Sequence, residues 1–593
     1  MTFLFLKKLA HSKWSFLFVC VFVVLVFTPS MNGPFILDDQ NNVVYNELRF
    51  SSLNSSDYSL IDHVRERTFS KWTFIVNEKL FNSQNPKAFR VINLILHILN
   101  GFLLYIFIAL IWRLTLNNGK EHLAGLIAMS LFLLHPIQTQ SVNYITQRMT
   151  LLSVGFSLLS LILFLKLRNN PEDTQSAWPL RIGLFVSFML ALFSKPISIC
   201  IMPFLQILEF LVIKNKSAKI QWNSFFIAGL IGIFLIALSI PGSIDTPRIG
   251  SLNYLATQSI VVFKYLSLVL WPSNLSIDHV QSIWPKIETY QLILTICGHS
   301  FAIAVAWFFR VKYPLVSLGI LFTYVSFLPE SGLIPLKDIM VEHRMYMPMI
   351  GISLLFSFIM IPLLERKWGL FFLVIVLTSL LVRTTVRNSN WANKVTLWSS
   401  ALKSNPSSYR SIYSMGNIHL TNGDTTKSLA EYSRALSLSS THVPSLSAMA
   451  LIHTNRGGLT VAQALLSRGL KLEPRDVVSL QNMGYLMEKY NRPDDAIKYY
   501  KLAVKFSRGN PEPNVDLGTI YLSLNRADES IDQFKKAIAK GANSARLHNN
   551  LGFAHQIKGQ TDLAKIHYLK AIQVDSSYYL AQQNLSSLTG STK

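Results

Sequence analysis

The sequence predicts an all-α chain in two parts: a polytopic membrane domain of about eleven helical spans, then a solenoid of paired helices. Three observations carry this reading. Half of the 593 residues are hydrophobic, and the mean hydropathy is +0.33, too apolar for a purely soluble chain. Apolar runs of bilayer length recur through the first 390 residues. Beyond them a strict 34-residue period takes over. The domains expected are residues 1–390, a connector at 391–406, and the solenoid at 407–593.

The spans begin near residues 14, 90, 122, 148, 181, 197, 223, 290, 314, 345 and 368. Lys7, Lys8 and Lys13 precede the first, so by the positive-inside rule it runs outward from a cytoplasmic N-terminus. Every second loop is then basic: Arg113 and Lys120, Lys166 with Arg168 and Arg181, Lys214 with Lys216 and Lys219, Arg310 and Lys312, Arg366 and Lys367. Residues 254–271 are a twelfth apolar run, but Lys264 lies in the middle and Pro272 at the end. Crossing there would turn the later basic loops outward, so this run is expected to lie along the outer surface. The solenoid then shares the outer side with the first loop.

The formal net charge is +23. Residues 405–593 hold 22 basic and 14 acidic side chains, a net +8, so most of the excess belongs to the membrane half. There it reads as inside loops and contacts to membrane lipids. No Lys/Arg run or aromatic RNA motif accompanies it, so no nucleic-acid partner is expected. Cys20, Cys200 and Cys297 all fall in apolar runs and make no disulfide framework or metal site.

In the solenoid three columns stay in phase. Gly416, Ala450, Gly484, Gly518 and Gly552 form one. Tyr432, Leu466, Tyr500, Phe534 and Tyr568 form the second. Ala435, Gly469, Ala503, Ala537 and Ala571 form the third. This is the tetratricopeptide (TPR) register, five repeats in which small residues let two helices approach and a large one fills the wedge toward the next repeat. Trp398 and Ala401 read as a half repeat before them. Asn549, Asn550 and Asn584 fall near inner-helix faces, either as peptide-binding amides or as solvated surface.

Polar residues collect in the outward loops. Asp38 and Asp39 follow the first span, with Asn46 and Arg67 further along that loop. His135, Asn143 and Arg148 lie between the third and fourth spans. Lys195 sits between two apolar runs, Asn274 and Asp278 in the long fourth loop, and Glu342, His343 and Arg344 in the fifth. A carboxylate among cations and amides suits a phosphorylated headgroup and an activated hydroxyl. The carboxylate acts as general base or holds a divalent metal such as Mg or Mn, and Arg or Lys takes the phosphate. Each residue also has a structural reading. Asp38 and Asp39 would form a turn or cap, His135 would satisfy last-turn carbonyls, Lys195 would anchor at the interface, and Glu342 would pair with Arg344.

Several stretches resemble the transmembrane-and-TPR protein O-mannosyltransferases and their prokaryotic relatives. They are Phe35-Ile-Leu-Asp-Asp39, His97-Ile-Leu-Asn100, His135 to Asn143 with Arg148, Asn253 to Gln258, Trp271 to Asp278, and Glu342-His-Arg-Met-Tyr-Met-Pro348. The resemblance implies a GT-C type glycosyltransferase using a lipid-phosphate-linked sugar donor. Asp38 or Asp39 would be the catalytic acid motif, Glu342, His343 and Arg344 would face the donor phosphate, and the solenoid would receive the acceptor protein. Leu37 replaces a common aromatic, and Pro196 follows Lys195 where relatives often carry an acid. Two other readings remain: a membrane-anchored TPR scaffold for envelope or pilus assembly, and a flippase. The second would place acids within the spans, where only Glu209 is apparent. The expected location is a bacterial inner membrane with a periplasmic solenoid, or an endoplasmic-reticulum membrane in a eukaryote.

Overall fold

The computed structural model describes residues 13–39, 43, 63–64, 66–81, 85–169, 177–213, 250–280, 283, 285–332, 335–507 and 509–589. These residues form helices and short 3-10 turns, with no strand among them. The chain divides into two compact units, residues 1–39 with 56–406 and residues 40–55 with 407–593.

The first unit contains α1 (Lys13–Phe27), α2 (Thr68–Phe81), α3 (Pro86–Thr115), α4 (Glu121–Leu134), α5 (Thr139–Asn143), α6 (Arg148–Asn169), α7 (Ala177–Ser194) and α8 (Ile201–Leu211). It continues with α9 (Ser251–Leu270), α10 (Thr289–Phe309), α11 (Pro314–Ser331), α12 (Pro348–Leu364), α13 (Gly369–Asn390) and α14 (Lys394–Ser404). Six of these helical segments are long and apolar enough to cross a bilayer, or seven if the bent pair Glu121–Leu134 and Pro136–Asn143 counts as one span; three shorter apolar helices accompany them. Ten of the eleven anticipated spans correspond to helices. The one starting near residue 223 lies outside the described residues.

Local chemistry fixes the helix ends. Asn85 caps α3 by accepting from the Lys87 amide, with Pro86 at the first helical position, where a missing N–H costs nothing. α3 packs on α4 and α6, α6 on α7, and α11 on α12. The last pair crosses closely: a Cβ on Gly351 would stand 2.4 Å from the Gly319 carbonyl oxygen. Small residues permit such approach between membrane helices, where packing drives association. One continuous apolar core runs through this unit, from Val23 to Leu380.

α9 packs on α10 and α11 and falls short of the apolarity of a span. Its first turn and its last each meet a polar group of another element. The Tyr254 hydroxyl donates to the Glu330 carbonyl at 2.8 Å, and the Val269 carbonyl meets His135 Nε2 at 3.0 Å.

The second unit stacks α15 (Tyr409–Thr421) through α25 (Tyr579–Thr589) as five helix pairs and a final helix. The pairs are α15 with α16 (Thr425–Leu438), α17 (Val443–Asn455) with α18 (Leu459–Leu472), α19 (Val477–Lys489) with α20 (Pro493–Phe506), α21 (Glu512–Ser523) with α22 (Ala527–Ala539), and α23 (Ala545–Ile557) with α24 (Thr561–Val574). Each column glycine meets the aromatic of its own repeat. A Cβ at Gly416, Gly484, Gly518 or Gly552 would stand 2.5 to 2.8 Å from the ring of Tyr432, Tyr500, Phe534 or Tyr568. The large residue therefore fills the space inside its repeat as well as the wedge beyond it. In the second repeat the small residue is Ala450 and the large one is only Leu466, both fully buried. One methyl added on one side is matched by a smaller group on the other.

A candidate acid–cation site in the membrane unit

The loop after α1 is pinned before it reaches its acids. Arg90 of α3 donates to the Asn143 carbonyl at 2.9 Å, the Pro34 carbonyl at 2.6 Å and the Gly33 carbonyl. Asn143 Nδ2 donates to Asn388 Oδ1 at 2.6 Å, and Ser30 Oγ donates to Asn143 Oδ1 at 2.8 Å. Gly33 lies so close to α13 that a Cβ there would be 2.2 Å from the Trp391 carbonyl oxygen.

The chain then turns over residues 36–39, and the two acids part. Asp39 is fully buried. One of its oxygens accepts from the Ile36 amide at 3.1 Å, and the other accepts from the Thr146 amide at 2.8 Å and the Thr146 hydroxyl at 2.7 Å. The Asp39 amide donates back to the Ile36 carbonyl at 2.9 Å. Burial raises its carboxyl to about 6, against the pull of these donors and of Arg90. Leu37 takes a φ of 46°, a left-handed conformation uncommon in non-glycine residues. Asp38, at the apex, is exposed. Its amide donates to the Tyr144 hydroxyl at 3.1 Å.

Tyr144 leads to the fifth loop. Its ring meets the His343 ring edge-on at 6.4 Å. The His343 amide donates to Gln140 Oε1 at 2.8 Å, and its Nδ1 is buried without a hydrogen-bond partner among the described residues. Burial, with Lys195 next in weight, holds this imidazole down at about 3, hence neutral. Arg344 points the other way. It donates to the Asp338 carbonyl at 2.6 Å and the Ile339 carbonyl at 3.0 Å, and its Nε lies 3.9 Å from Glu330 Oε2. Glu330 Oε1 is 2.8 Å from Lys195 Nζ, which also donates to Thr150 Oγ1 at 3.2 Å. Burial lowers the Lys195 ammonium from its usual value, and the Glu330 carboxylate opposes this. Arg67 is close enough to add repulsion there, and its φ of 53° is, like that of Leu37, left-handed.

The structure thus assembles Asp38, Tyr144, His343, Arg344, Glu330, Lys195 and Arg67. Tyr144 and Glu330 were not among the residues expected from sequence. Glu330 also corrects the reading of the spans as acid-free beyond Glu209, since it is the next-to-last residue of α11. Its signal was the Leu-Pro-Glu-Ser at the C-terminal end of an apolar run.

Other anticipated residues have different surroundings. Glu342 does not pair with Arg344. It accepts from the Ser276 amide, sits 2.9 Å from His279 Nε2 and 3.4 Å from an Arg387 nitrogen. Arg148 is buried, its guanidinium spent on Asn93, Asn77, Phe89 and Thr73 and stacked over Phe74. His135 accepts from the Ile137 amide at 3.2 Å. Asn274 is exposed. The Asp278 carbonyl accepts from Asn405 Nδ2 at 3.0 Å. Asn46 lies outside the described residues. Among the described residues no three His, Cys, Asp or Glu side chains group as a metal site. Both oxygens of Asp39 are already engaged by the Ile36 and Thr146 donors, which leaves Asp38 as the open carboxylate of the pair.

A family model described as tetratricopeptide repeat matches residues 409–442, 512–539 and 545–578. Protein O-mannosyl-transferase F38B6.6 of Caenorhabditis elegans is 26% identical over 445 residues, covering 69% of this chain and 60% of that protein. Human protein O-mannosyl-transferase TMTC4 is 24% identical over 493 residues, covering 71% and 66%. The chain therefore spans about 60 to 66% of the length of these two relatives. Among solved structures, the TPR protein YrrB aligns at 19% identity over 31% of this chain and 96% of that one, with a TM-score of 0.25. Over about 70% of its length the chain is thus similar to these protein O-mannosyl-transferases, and its C-terminal repeats match the tetratricopeptide model.

Proposed function

We propose that this multi-pass membrane protein is a glycosyltransferase that moves a sugar from a lipid-phosphate donor to Ser or Thr hydroxyls of a protein on the outer face. The observation that carries this reading is the exposed Asp38 carboxylate, joined through Tyr144 and His343 to the buried Lys195–Glu330–Arg344 cluster. The relatives' names support the class of reaction.

In this reading Asp38 accepts the proton of the acceptor hydroxyl as its oxygen bonds to the anomeric carbon. The bond from that carbon to the phosphate oxygen breaks, and its electron pair leaves with the phosphate. Lys195 and Arg344 stabilise the charge that develops there. With Glu330 beside them these two cations leave one net positive charge, which matches a singly charged phosphodiester. Neutral His343 adds an imidazole without adding charge. Asp39 is a positioning residue, since its oxygens hold the turn that presents Asp38. The TPR unit receives the acceptor protein. The span parity, the outward solenoid and a bacterial inner membrane belong to the same proposal, supported by the basic loops.

The test is transfer of sugar from a polyprenyl-phosphate donor to a protein by the purified chain, read by intact mass. A mass gain with the wild type, lost in Asp38→Asn, is expected. No gain with any lipid-phosphate sugar, with the protein folded, overturns the reading and favours a scaffold.

A further inference from the structure

The fifth TPR pair brings three imidazoles together. His548 and His555 lie two turns apart on α23, and His567 lies on α24. The His567 ring is stacked with each of the other two, at 5.6 Å between centroids in both cases. His548 and His555 are buried, and His567 is half-buried. His548 Nδ1 and His567 Nδ1 face each other at 3.4 Å. The other nitrogen of His548, Nε2, donates to Asn543 Oδ1 at 3.1 Å. That bond keeps the proton on Nε2, so the neutral ring turns its Nδ1 lone pair toward His567.

One repeat earlier the same two positions are Asn514 and Gln533. There Asn514 Nδ2 donates to Gln533 Oε1 at 2.9 Å, an ordinary hydrogen bond. Further back they are Leu480 with Tyr499 and Leu446 with Leu465, which carry no side-chain nitrogen. Closing a helix pair at this level therefore needs no imidazoles. The 3.4 Å between the two nitrogens exceeds the about 2.9–3.0 Å that such hydrogen bonds prefer. Two nitrogens bound to one tetrahedral zinc, each at about 2.0–2.1 Å, stand about 3.3–3.4 Å apart. Neighbouring positions on a square-planar copper or nickel ion would draw them to about 2.8 Å.

We infer that His548 and His567 chelate one zinc ion between α23 and α24, with water in its remaining positions. Among the described residues no group of three His, Cys, Asp or Glu forms a metal site, so the chain supplies these two nitrogens and a chelator removes the ion readily. Neutral imidazole suits zinc, whereas magnesium and calcium seek oxygen. The bond from His548 to Asn543 is the outer-shell contact that a metal-bound imidazole usually makes, and it fixes the ring and its tautomer. The half-buried edge of His567 gives the ion an entry and leaves space for water. Lys535 and Lys570 act on His567, but both are exposed, so solvent and salt screen their repulsion of a cation. Bound zinc ties together the two helices on which α25 packs. The inference stands apart from the transferase reading, since no substrate or membrane residue takes part.

The test is zinc binding by the full-length protein in detergent, read by equilibrium dialysis and by competition with a chromophoric zinc indicator. One zinc per chain is expected for the wild type and for His555→Gln, which keeps both ligands. His548→Gln and His567→Gln are each expected to weaken binding at least tenfold. His567→Cys restores a zinc donor without restoring an imidazole and is expected to bind again, which separates a ligand from a ring that merely packs. Cobalt in place of zinc is expected to give the intense visible bands of a tetrahedral ion, and a thiolate-to-cobalt band in His567→Cys. Unchanged zinc affinity in both glutamine variants overturns the inference. So does a wild type that takes up no zinc at millimolar concentration. If the glutamine variants fail to fold, His567→Cys decides: a folded chain without the thiolate-to-cobalt band overturns the inference.

Discussion

The Tyr144 hydroxyl accepts a hydrogen bond from the Asp38 amide at 3.1 Å, while its ring lies against His343. One side chain thereby joins the loop of Asp38 to the loop of His343, 305 residues apart in sequence. Burial and the neighbouring Asp38 and Asp39 carboxylates push the Tyr144 phenol well above its usual range, so it stays protonated. Tyr144→Phe is expected to lower turnover about tenfold while donor affinity stays within threefold. Steady-state kinetics that instead show a rise in KM alone would assign Tyr144 to substrate binding.

The two acids should separate by experiment. Asp38→Asn is expected to lower transfer at least a hundredfold with unchanged thermal stability, as loss of a general base does. Asp39→Asn leaves one oxygen where two now accept three bonds. It is expected to destabilise the unit by about 1–3 kcal/mol and to lose activity through disorder of the turn. Equal stability of the two variants would refute this division.

A pH profile probes Asp39 again. Its carboxyl sits at about 6, against 3.8 for an ordinary aspartate. The folded chain holds this proton more tightly than the unfolded chain. Asp39 therefore adds stability as pH falls from about 6 toward 3.8 and subtracts it as pH rises through the same window. Protonation also spoils the acceptor that holds the turn. Transfer is expected to fall below pH 6 with no loss of stability attributable to Asp39, and Asp39→Asn should remove that inflection.

The buried cluster invites a double-mutant cycle. Glu330→Gln strands Lys195 and Arg344 and is expected to cost about 3–5 kcal/mol, the usual result of breaking a buried pair from one side. Lys195→Met/Glu330→Met is expected to regain most of that stability yet bind a polyprenyl-phosphate sugar at least tenfold more weakly. Retained donor binding in the double variant would remove Lys195 from the phosphate site.

The repeats offer a packing test. Gly518→Ala puts a methyl 2.6 Å from the Phe534 ring and is expected to cost about 1–3 kcal/mol. Adding Phe534→Leu recreates the Ala450/Leu466 pairing and should recover part of it by thermal melting. Additive losses in the double variant would show that the two positions do not share a space.

The helical order and the repeat register were legible because each rests on periodicity. Apolar length defines a span, and three columns at 34 residues define the solenoid. The site was legible only by residue type. Nothing in the sequence distinguishes Asp38 from Asp39, because the turn that buries one and exposes the other depends on Thr146, over a hundred residues away. Glu330 was hidden by its place at the end of an apolar run. Arg148 and Glu342 looked like ligand-facing charges, but buried charges also serve as internal braces, and only their neighbours reveal which.

Glu330 stands between Lys195 and Arg344, so in the proposed transfer an arriving phosphate would meet cations that already have an anion. Arrival is then an exchange. The incoming group gains less than bare cations would give it, and the spent phosphate can be displaced by a carboxylate that never left the protein. Such a pocket gives up tightness in favour of release, which would let a lipid product depart without a separate step to evict it.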